Sequence, residues 1–265
     1  MSELQEGRKR NRRLYTRNGD FDILKAAARY QFLTVEQTAA AAKRNVIAVR
    51  RRMLGMYDAG ILNRARRDKL APYVYFLAEK GSATCVERGY LSEPRWIKSK
   101  SSLIVSHDLE ITNFHLVLEK ALHDAGHTLS WEQWRGATRV QVETDAGMES
   151  LIPDATLTID RKSTWHFEVV KSYESEYEKG ESNIEHKIFL YNEYAKQSKE
   201  PFRVLWIFPT QERVLRLLTK IEERFPYRRF YFTDEASYKR DILGGIWWTP
   251  RDFRDAVHSL FEPKS

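Results

Sequence analysis

Residues 21–81 decide the fold of the first part of the chain and have the sequence FDILKAAARYQFLTVEQTAAAAKRNVIAVRRRMLGMYDAGILNRARRDKLAPYVYFLAEKG. Apolar residues recur at helical spacing around Ile23 and again over residues 35–42. Thr34 and Gln37 match a capping box, which predicts that the second of these helices begins directly after Thr34. The stretch therefore starts with two short helices.

The second half of the same stretch predicts a third helix and a β-hairpin. Apolar residues at helical spacing run over residues 45–59, and Gly60 follows in the position of a helix C-cap. Residues 61–81 then alternate apolar and basic side chains around a turn near Asp68–Pro72. Three short helices followed by a basic hairpin are typical of a winged helix-turn-helix.

Positive charge is concentrated on the predicted third helix and hairpin. An α-helix fits the major groove of B-DNA, where arginine side chains can contact base edges and phosphates. We expect the hairpin cations to contact the flanking DNA backbone. The candidate DNA-binding residues are Lys43, Arg44, Arg50, Arg51, Arg52, Arg64, Arg66, Arg67 and Lys69. The alternative is a solvated basic domain that makes protein contacts only.

Charge is distributed unevenly along the 265 residues. Residues 1–100 contain 22 Lys or Arg and 10 Asp or Glu, whereas residues 101–265 contain 22 and 27. This asymmetry predicts a nucleic-acid module joined to a different domain. The single cysteine, Cys85, excludes an intramolecular disulfide and a multi-cysteine zinc site. Because the sequence has no long apolar run and no signal-peptide core, we expect a cytoplasmic protein without membrane contact.

The composition along the chain predicts four segments. Residues 1–18 form a basic tail that is expected to be disordered alone, and residues 19–90 form the winged-helix domain. Residues 91–106, rich in serine and lysine, are expected to be a linker. In residues 107–265 an amphipathic helix precedes alternating strands and helices, which predict an α/β domain with a sheet of about five strands. A short helix over residues 251–263 is expected to end it, and the chain as a whole is expected to be α+β.

Two carboxylates in the predicted sheet support a metal-site hypothesis. Asp154 lies in one predicted strand and Glu168 in the next. Together with Glu110 or Glu119 from the preceding helix, they could hold Mg²⁺, whose bound water would attack a phosphodiester. A lysine beside them would stabilise the negative charge of the transition state, and Lys171 is the first candidate for this role.

The position of that lysine differs from the PD-(D/E)XK nuclease core, which the pattern resembles. In that core the lysine follows the acid by two residues, whereas Lys171 follows Glu168 by three. Strand alternation places Glu168 and Val170 on one face and Lys171 on the other, so Lys187 on the following helix is a second candidate. We therefore expect a non-catalytic scaffold without a cofactor, and Mg²⁺ only if the nuclease alternative holds.

The chain resembles the replication-relaxation family of plasmid and mobile-element proteins over roughly residues 20–200. The resemblance is carried, in order, by FLTVEQTAAA, RRRMLGMYDAGIL, PYVYFLAEKG, SHDLEITNFHLVLEKA, LIPDATLTI, WHFEVVKS and HKIFLYNEYA. The family's usual strand has Glu-x-Asp-Arg where this chain has EVVK, so the second acid is missing. The resemblance implies a winged-helix DNA binder joined to a degenerate restriction-endonuclease-like domain. It also implies a link to plasmid replication, DNA relaxation and mobilisation.

Residue patterns and resemblance together predict a double-stranded DNA-binding accessory or regulatory protein of a plasmid or other mobile element. The second domain is expected to be an assembly module that pairs with a second copy of the chain or recruits a replication or transfer protein. Two alternatives stay open. One is a Mg²⁺-dependent endonuclease that uses Asp154 and Glu168, and the other is a transcriptional repressor that binds its own promoter.

Overall fold

A computed structural model of the chain describes residues 5–6, 18–66, 70–97, 102–132, 139–170, 184–225 and 229–261. The backbone divides into two compact units, residues 1–116 and 117–265. The sequence instead predicts a boundary at a linker over residues 91–106, but a helix has already begun at Ser102. Val105 of this helix is fully buried in one apolar cluster with Phe32 and Val74. This packing starts the helix earlier than the serine-rich composition indicates.

The first unit contains three helices followed by an antiparallel hairpin, in the predicted order. Its elements are β1 (Gln5–Glu6), α1 (Asn18–Arg29), α2 (Val35–Ala41), α3 (Val46–Asp58), β2 (Leu62–Arg66), β3 (Val74–Leu77), α4 (Glu79–Glu87) and the first part of α5 (Ser102–Asp124). β2 pairs with β1 and with β3. β1 lies in the predicted basic tail, whose residues 7–17 lie outside the described part of the chain.

Local hydrogen bonds explain where α2 begins. The backbone N–H of Thr34 donates to Gln37 Oε1 at 2.9 Å, and the Gln37 N–H donates to Thr34 Oγ1 at 3.2 Å. This is the predicted capping box, which satisfies two backbone donors that a helix start would otherwise leave unpaired. The Gln37 amide also donates to the Leu109 carbonyl at 2.9 Å, so the capping residue connects α2 to α5.

α3 ends at the glycine that the sequence predicts. Gly60 has a φ of +72°, in the left-handed region that favours glycine. Its N–H donates to the Tyr57 carbonyl at 3.0 Å, and the Ile61 N–H donates to the Met56 carbonyl at 2.9 Å. These two bonds form a Schellman motif, which turns the chain out of α3 and into β2.

The second unit is built on a five-stranded sheet with the order β10-β9-β8-β7-β4. Its strands and helices are β4 (Leu129–Glu132), β5 (Val140–Thr144), β6 (Gly147–Leu151), β7 (Ala155–Ile159), β8 (Ser163–Val169), α6 (Ile184–Gln197), β9 (Phe202–Phe208), α7 (Gln211–Ile221), β10 (Phe230–Asp234) and α8 (Glu235–Asp241). β8, β9 and β10 are parallel, whereas β7 and β4 are antiparallel to their neighbours. β5 and β6 form a separate hairpin. The predicted α+β class and the sheet of about five strands are confirmed.

Helices connect the parallel strands, as a parallel pair requires. α6 lies between β8 and β9 in the chain, and α7 lies between β9 and β10. α7 is strongly amphipathic, and its buried side chains pack in one core with the strand residues Val204, Trp206, Phe230 and Phe232. None of the helices in the described part of the chain is long and apolar enough to cross a membrane.

The predicted helix over residues 251–263 is wrong. Residues 251–255 form turns, and the chain then extends to a bridge between His258 and Trp247. Asp252 accepts hydrogen bonds from the Thr249 hydroxyl and from His258, the latter with a 2.9 Å separation between Nε2 and Oδ1. These side-chain bonds hold the segment as a turn, because they compete with the helical pattern of backbone hydrogen bonds.

A buried ion pair joins α1 to α3. Asp20 is 1 % exposed, and its Oδ1 accepts from Nε of Arg52 at 2.7 Å, while Oδ2 accepts from the terminal nitrogen. The hydrogen bond to Asp20 raises the pKa of Arg52 above its ordinary value. A buried carboxylate is stable only when it is paired, so this fork-to-fork contact fixes the rotation of α3 against α1.

We expect Asp20→Asn to lower the free energy of unfolding by about 2 to 3 kcal/mol, because Arg52 loses its charged partner. The matched control is Asp22→Asn, which removes an exposed ion pair between α1 and Arg44 in the loop before α3. That change is expected to cost less than about 1 kcal/mol. Urea denaturation of both variants measures the difference, and equal losses would contradict a structural role for Asp20.

Candidate functional site

The two faces of α3 differ in burial. Val49, Met53 and Met56 are fully buried in the core of the first unit. The opposite face exposes two apolar and two basic side chains at helical spacing, namely Ile47, Arg50, Arg51 and Leu54. Ile47 is 70 % exposed, which is far above the value for an apolar core residue. An exposed helix face that combines apolar and basic side chains suits contact with another molecule.

The candidate cations near α3 differ in their partners. Arg50 is 65 % exposed and lies 3.2 Å from Glu36, and Arg44 donates to Asp22 at 2.8 Å in an exposed pair. Lys43 and Arg51 are exposed, and neither forms an ion pair within the described part of the chain. Exposed pairs of this kind contribute little to stability, so these cations can bind another anion with little loss of folding free energy.

Arg52 differs from its neighbours, although the sequence groups it with them. Its guanidinium is held by the buried carboxylate of Asp20, and its side chain is only 27 % exposed. Contact with a phosphate would leave that carboxylate without its partner, which carries a large free-energy penalty. Arg52 is therefore a structural residue here, and we exclude it from the candidate DNA contacts.

Aromatic rings hold the two described hairpin arginines. The guanidinium carbon of Arg64 lies 4.2 Å from the ring centroid of Tyr57 and 4.3 Å from that of Tyr73. The guanidinium carbon of Arg66 lies 3.9 Å from the same Tyr73 centroid. Cation–π contacts restrict these half-buried side chains, and Nε of each is shielded from solvent. Arg67 and Lys69, the other two predicted hairpin contacts, lie outside the described residues.

β7 and β8 bring the two predicted acids together. The register pairs Ala155 with Phe167, so Asp154, which directly precedes β7, lies opposite Glu168. Oδ2 of Asp154 accepts from the backbone N–H of Val169 at 2.8 Å. The two acids therefore lie opposite each other, but Asp154 stands one residue before β7, whereas the sequence predicts it within a strand.

Two side chains of α6 satisfy the carboxylate of Glu168. The Tyr191 hydroxyl donates to Oε1 at 2.6 Å, and the Lys187 ammonium donates to Oε2. Glu168 is 1 % exposed. Burial, together with the charge of Asp154, raises the pKa of Glu168 to about 8 against the lowering effects of Lys187 and Tyr191.

The donor set around Glu168 does not fit a Mg²⁺ ion. Both Glu168 oxygens already accept hydrogen bonds from Lys187 and Tyr191, so a cation would have to displace these partners. The described residues contain no group of three His, Cys, Asp or Glu side chains that could hold a metal. Within the described residues of the second unit, Glu119 forms no such group with the two acids. Lys171 lies outside the described residues.

Tyr191 contacts Glu168, but it is not among the site residues predicted from the sequence. Lys187 and Tyr191 are four residues apart and therefore lie on one face of α6, so the spacing was available as a signal. Lys187 also lines a cavity of about 470 Å³ together with Arg139, Glu149 and His186. His186 Nε2 lies 2.8 Å from Glu149 Oε2, so two of the polar side chains that line this cavity already pair with each other.

The fold and the sites define a two-unit α+β protein with a basic helical first unit and a mixed five-stranded sheet in the second. Residues 24–204 match the model of the replication-relaxation family, and this is more than half of the chain. The chain belongs to the replication-relaxation family, which links it to plasmid or mobile-element replication or relaxation. No curated protein and no solved structure matches it significantly.

The raised pKa of Glu168 predicts a pH-dependent stability. In the unfolded chain its pKa returns to the ordinary value of 4.5, so between 4.5 and about 8 only the folded state holds the proton. The free energy of unfolding therefore falls as the pH rises through this window. Glu168→Gln removes this dependence. Between about pH 5 and about pH 8, the difference in the free energy of unfolding between the variant and the wild type should therefore shift in favour of the variant by on the order of 3 kcal/mol.

Urea denaturation at the two pH values measures this change. The matched control is Glu212→Gln, the same substitution at an exposed glutamate of α7. It is expected to follow the wild-type pH dependence. If Glu168→Gln follows it as well, then Glu168 is ionised in the folded state throughout this range.

Proposed function

We propose that the protein binds double-stranded DNA through the exposed face of α3 and the β2–β3 hairpin, as an accessory or regulatory factor of a plasmid or other mobile element. The observation that carries this proposal is the coincidence of Arg50 and Arg51 on the outer face of α3 with the ring-held Arg64 and Arg66 on the hairpin. Three helices and a hairpin with this distribution of charge suit a winged helix-turn-helix, whose α3 enters the major groove.

The chemistry of α3 favours contact with both phosphates and bases. Arg50 and Arg51 supply donors for phosphate oxygens and for the edges of guanine. Ile47 and Leu54 on the same face supply apolar atoms of the kind that contact the methyl group of thymine. The hairpin arginines, restricted by Tyr73, would meet the backbone beside the groove. This division assigns base contact to α3 and backbone contact to the hairpin.

The second unit acts in this proposal as a non-catalytic assembly module, which contacts a second copy of the chain or a replication or transfer protein. The support is the state of Glu168, whose oxygens are both used by Lys187 and Tyr191. A carboxyl group held in this way stabilises the sheet instead of binding a metal-activated water. In this proposal the second unit is a degenerate restriction-endonuclease-like domain in which the acid has a structural role.

We expect the double variant Arg50→Ala/Arg51→Ala to weaken binding to a labelled duplex of mixed sequence by about tenfold or more. It should also reduce the slope of log affinity against log salt by about 1 for each phosphate that the variant no longer neutralises. Fluorescence anisotropy over a salt series measures both quantities.

The matched control is Lys25→Ala/Lys80→Ala, which removes two exposed cations from α1 and α4. This variant loses the same charge from the same unit but leaves α3 and the hairpin intact. It is expected to keep most of the wild-type affinity and salt slope. Equal weakening in the two variants would mean that total charge alone governs binding, which contradicts a DNA-binding face on α3.

A supercoiled-plasmid assay tests the non-catalytic role. The wild-type protein is expected to shift the plasmid in a gel without converting it to the nicked form, with or without Mg²⁺. Asp154→Ala serves as the specificity control, because it removes one acid of the candidate nuclease pair. Nicking that requires Mg²⁺ and is lost in Asp154→Ala would establish the endonuclease alternative.

A further inference from the structure

An open cleft in the second unit is distinct from the Glu168 cluster. It has a volume of about 800 Å³, which is in the size range of small-molecule sites. Its floor lies at the starts of the parallel strands β8, β9 and β10, where Thr164, Phe202 and Tyr231 line it. Glu168 lies near the end of β8, so the two features lie at opposite ends of the parallel strands.

The cleft is basic, although the rear half of the chain contains more acidic than basic residues. Four cations line it against two carboxylates, namely Lys162, Lys199, Arg203 and Arg229 against Glu200 and Asp252. They come from different places in the sequence, namely a turn before β8, the segment after α6, β9 itself and the residue before β10. The fold therefore assembles a local positive charge that composition does not reveal.

Arg203 is held in a defined position within this cleft. Its guanidinium carbon lies 4.8 Å from the ring centroid of Trp165, its register neighbour on β8, and 5.6 Å from that of Tyr231. Contact with the aromatic rings restricts the planar group and leaves its N–H edge as a donor. Among the described residues, Lys162, Lys199 and Arg203 form no ion pair with a carboxylate.

Neither acidic residue of the lining forms an ion pair with Lys162, Lys199 or Arg203 in the described part of the chain. Asp252 accepts hydrogen bonds from the Thr249 hydroxyl and from His258, the latter at 2.9 Å. Glu200 is exposed at the rim. The hydroxyl groups of Ser163 and Thr164 add neutral donors to the lining, whereas the Ser198 hydroxyl already donates to the Glu200 carbonyl at 2.9 Å. Several cations with hydroxyl donors and few competing acceptors match a ligand with several anionic oxygens.

We propose that this cleft is a second ligand site, which binds a phosphate-bearing molecule through Lys199, Arg203 and Lys162. The phosphate group can belong to a small phosphate ester or polyphosphate, or to the backbone of DNA. Both sources present the same tetrahedral oxyanion to the guanidinium and ammonium groups. Binding at this cleft does not depend on DNA binding by α3.

Isothermal titration calorimetry of the full chain with inorganic tripolyphosphate tests the site. The double variant Lys199→Gln/Arg203→Gln is expected to raise the dissociation constant about tenfold or more, because it removes two charge-assisted contacts. Lys162→Gln, at an exposed turn, is expected to weaken binding in the same direction and gives a second variant with little effect on folding. The matched control is Arg216→Gln/Lys239→Gln, which removes one arginine and one lysine from exposed positions outside the cleft.

Three outcomes are decisive for the site. Absence of binding by the wild type, or equal weakening in the cleft and control variants, would overturn the proposal. Loss confined to the cleft variants supports it. If those variants also weaken binding to the labelled duplex, the DNA backbone is the source of the phosphate. If duplex binding stays at the wild-type level, the ligand is a small phosphate compound.

The α3 variant separates this proposal from the proposed DNA-binding function. Arg50→Ala/Arg51→Ala is expected to bind tripolyphosphate with the wild-type affinity. Failure of the wild type to bind duplex, together with cleft-dependent binding of tripolyphosphate, would overturn the α3 assignment and leave the cleft intact. The reverse result would overturn the proposed ligand site in the cleft and support the DNA-binding assignment of α3.

Discussion

The arrangement of the second unit depends on the burial of the Glu168 carboxylate. A charge or a protonated acid in the middle of a sheet is stable only when its oxygens have hydrogen-bond partners. Lys187 and Tyr191, one turn apart on α6, supply both partners, so the rotation of that helix about its axis is fixed. The same rotation buries Ile188 and Leu190 against the core. The polar contact and the apolar packing of α6 therefore specify one orientation.

A similar constraint in the first unit separates structural from exposed arginines. Arg50, Arg51 and Arg52 are consecutive, and on an α-helix they point in three directions about 100° apart. Only Arg52 points toward the buried carboxylate of Asp20, and the pair then holds α3 in place. Arg50 and Arg51 are left on the outer face. Of three consecutive arginines, one therefore stabilises the fold and two present positive charge on the surface.

Local signals in the sequence predicted much of the fold. The capping box at Thr34, the glycine at Gly60 and the apolar periodicity depend on residues only a few positions apart, and the structure agrees with them. The partner of Arg52 lies 32 residues away, and the helix predicted over residues 251–263 is replaced by a turn that Asp252 stabilises. Contacts of that kind form between particular side chains, and the periodicity of apolar residues carries no information about them.

The basic surfaces of the two units differ in how far apart their residues lie in the sequence. The cations of α3 and the hairpin are near one another in the chain, so a count over residues 1–100 detects them. The cations of the cleft are spread from Lys162 to Arg229 and are diluted by the acidic residues between them. Strand pairing places Arg203 beside Trp165 and brings these separate residues to one edge of the sheet. Net charge over a segment is therefore a good guide to a helix face and a poor guide to a site assembled by parallel strands.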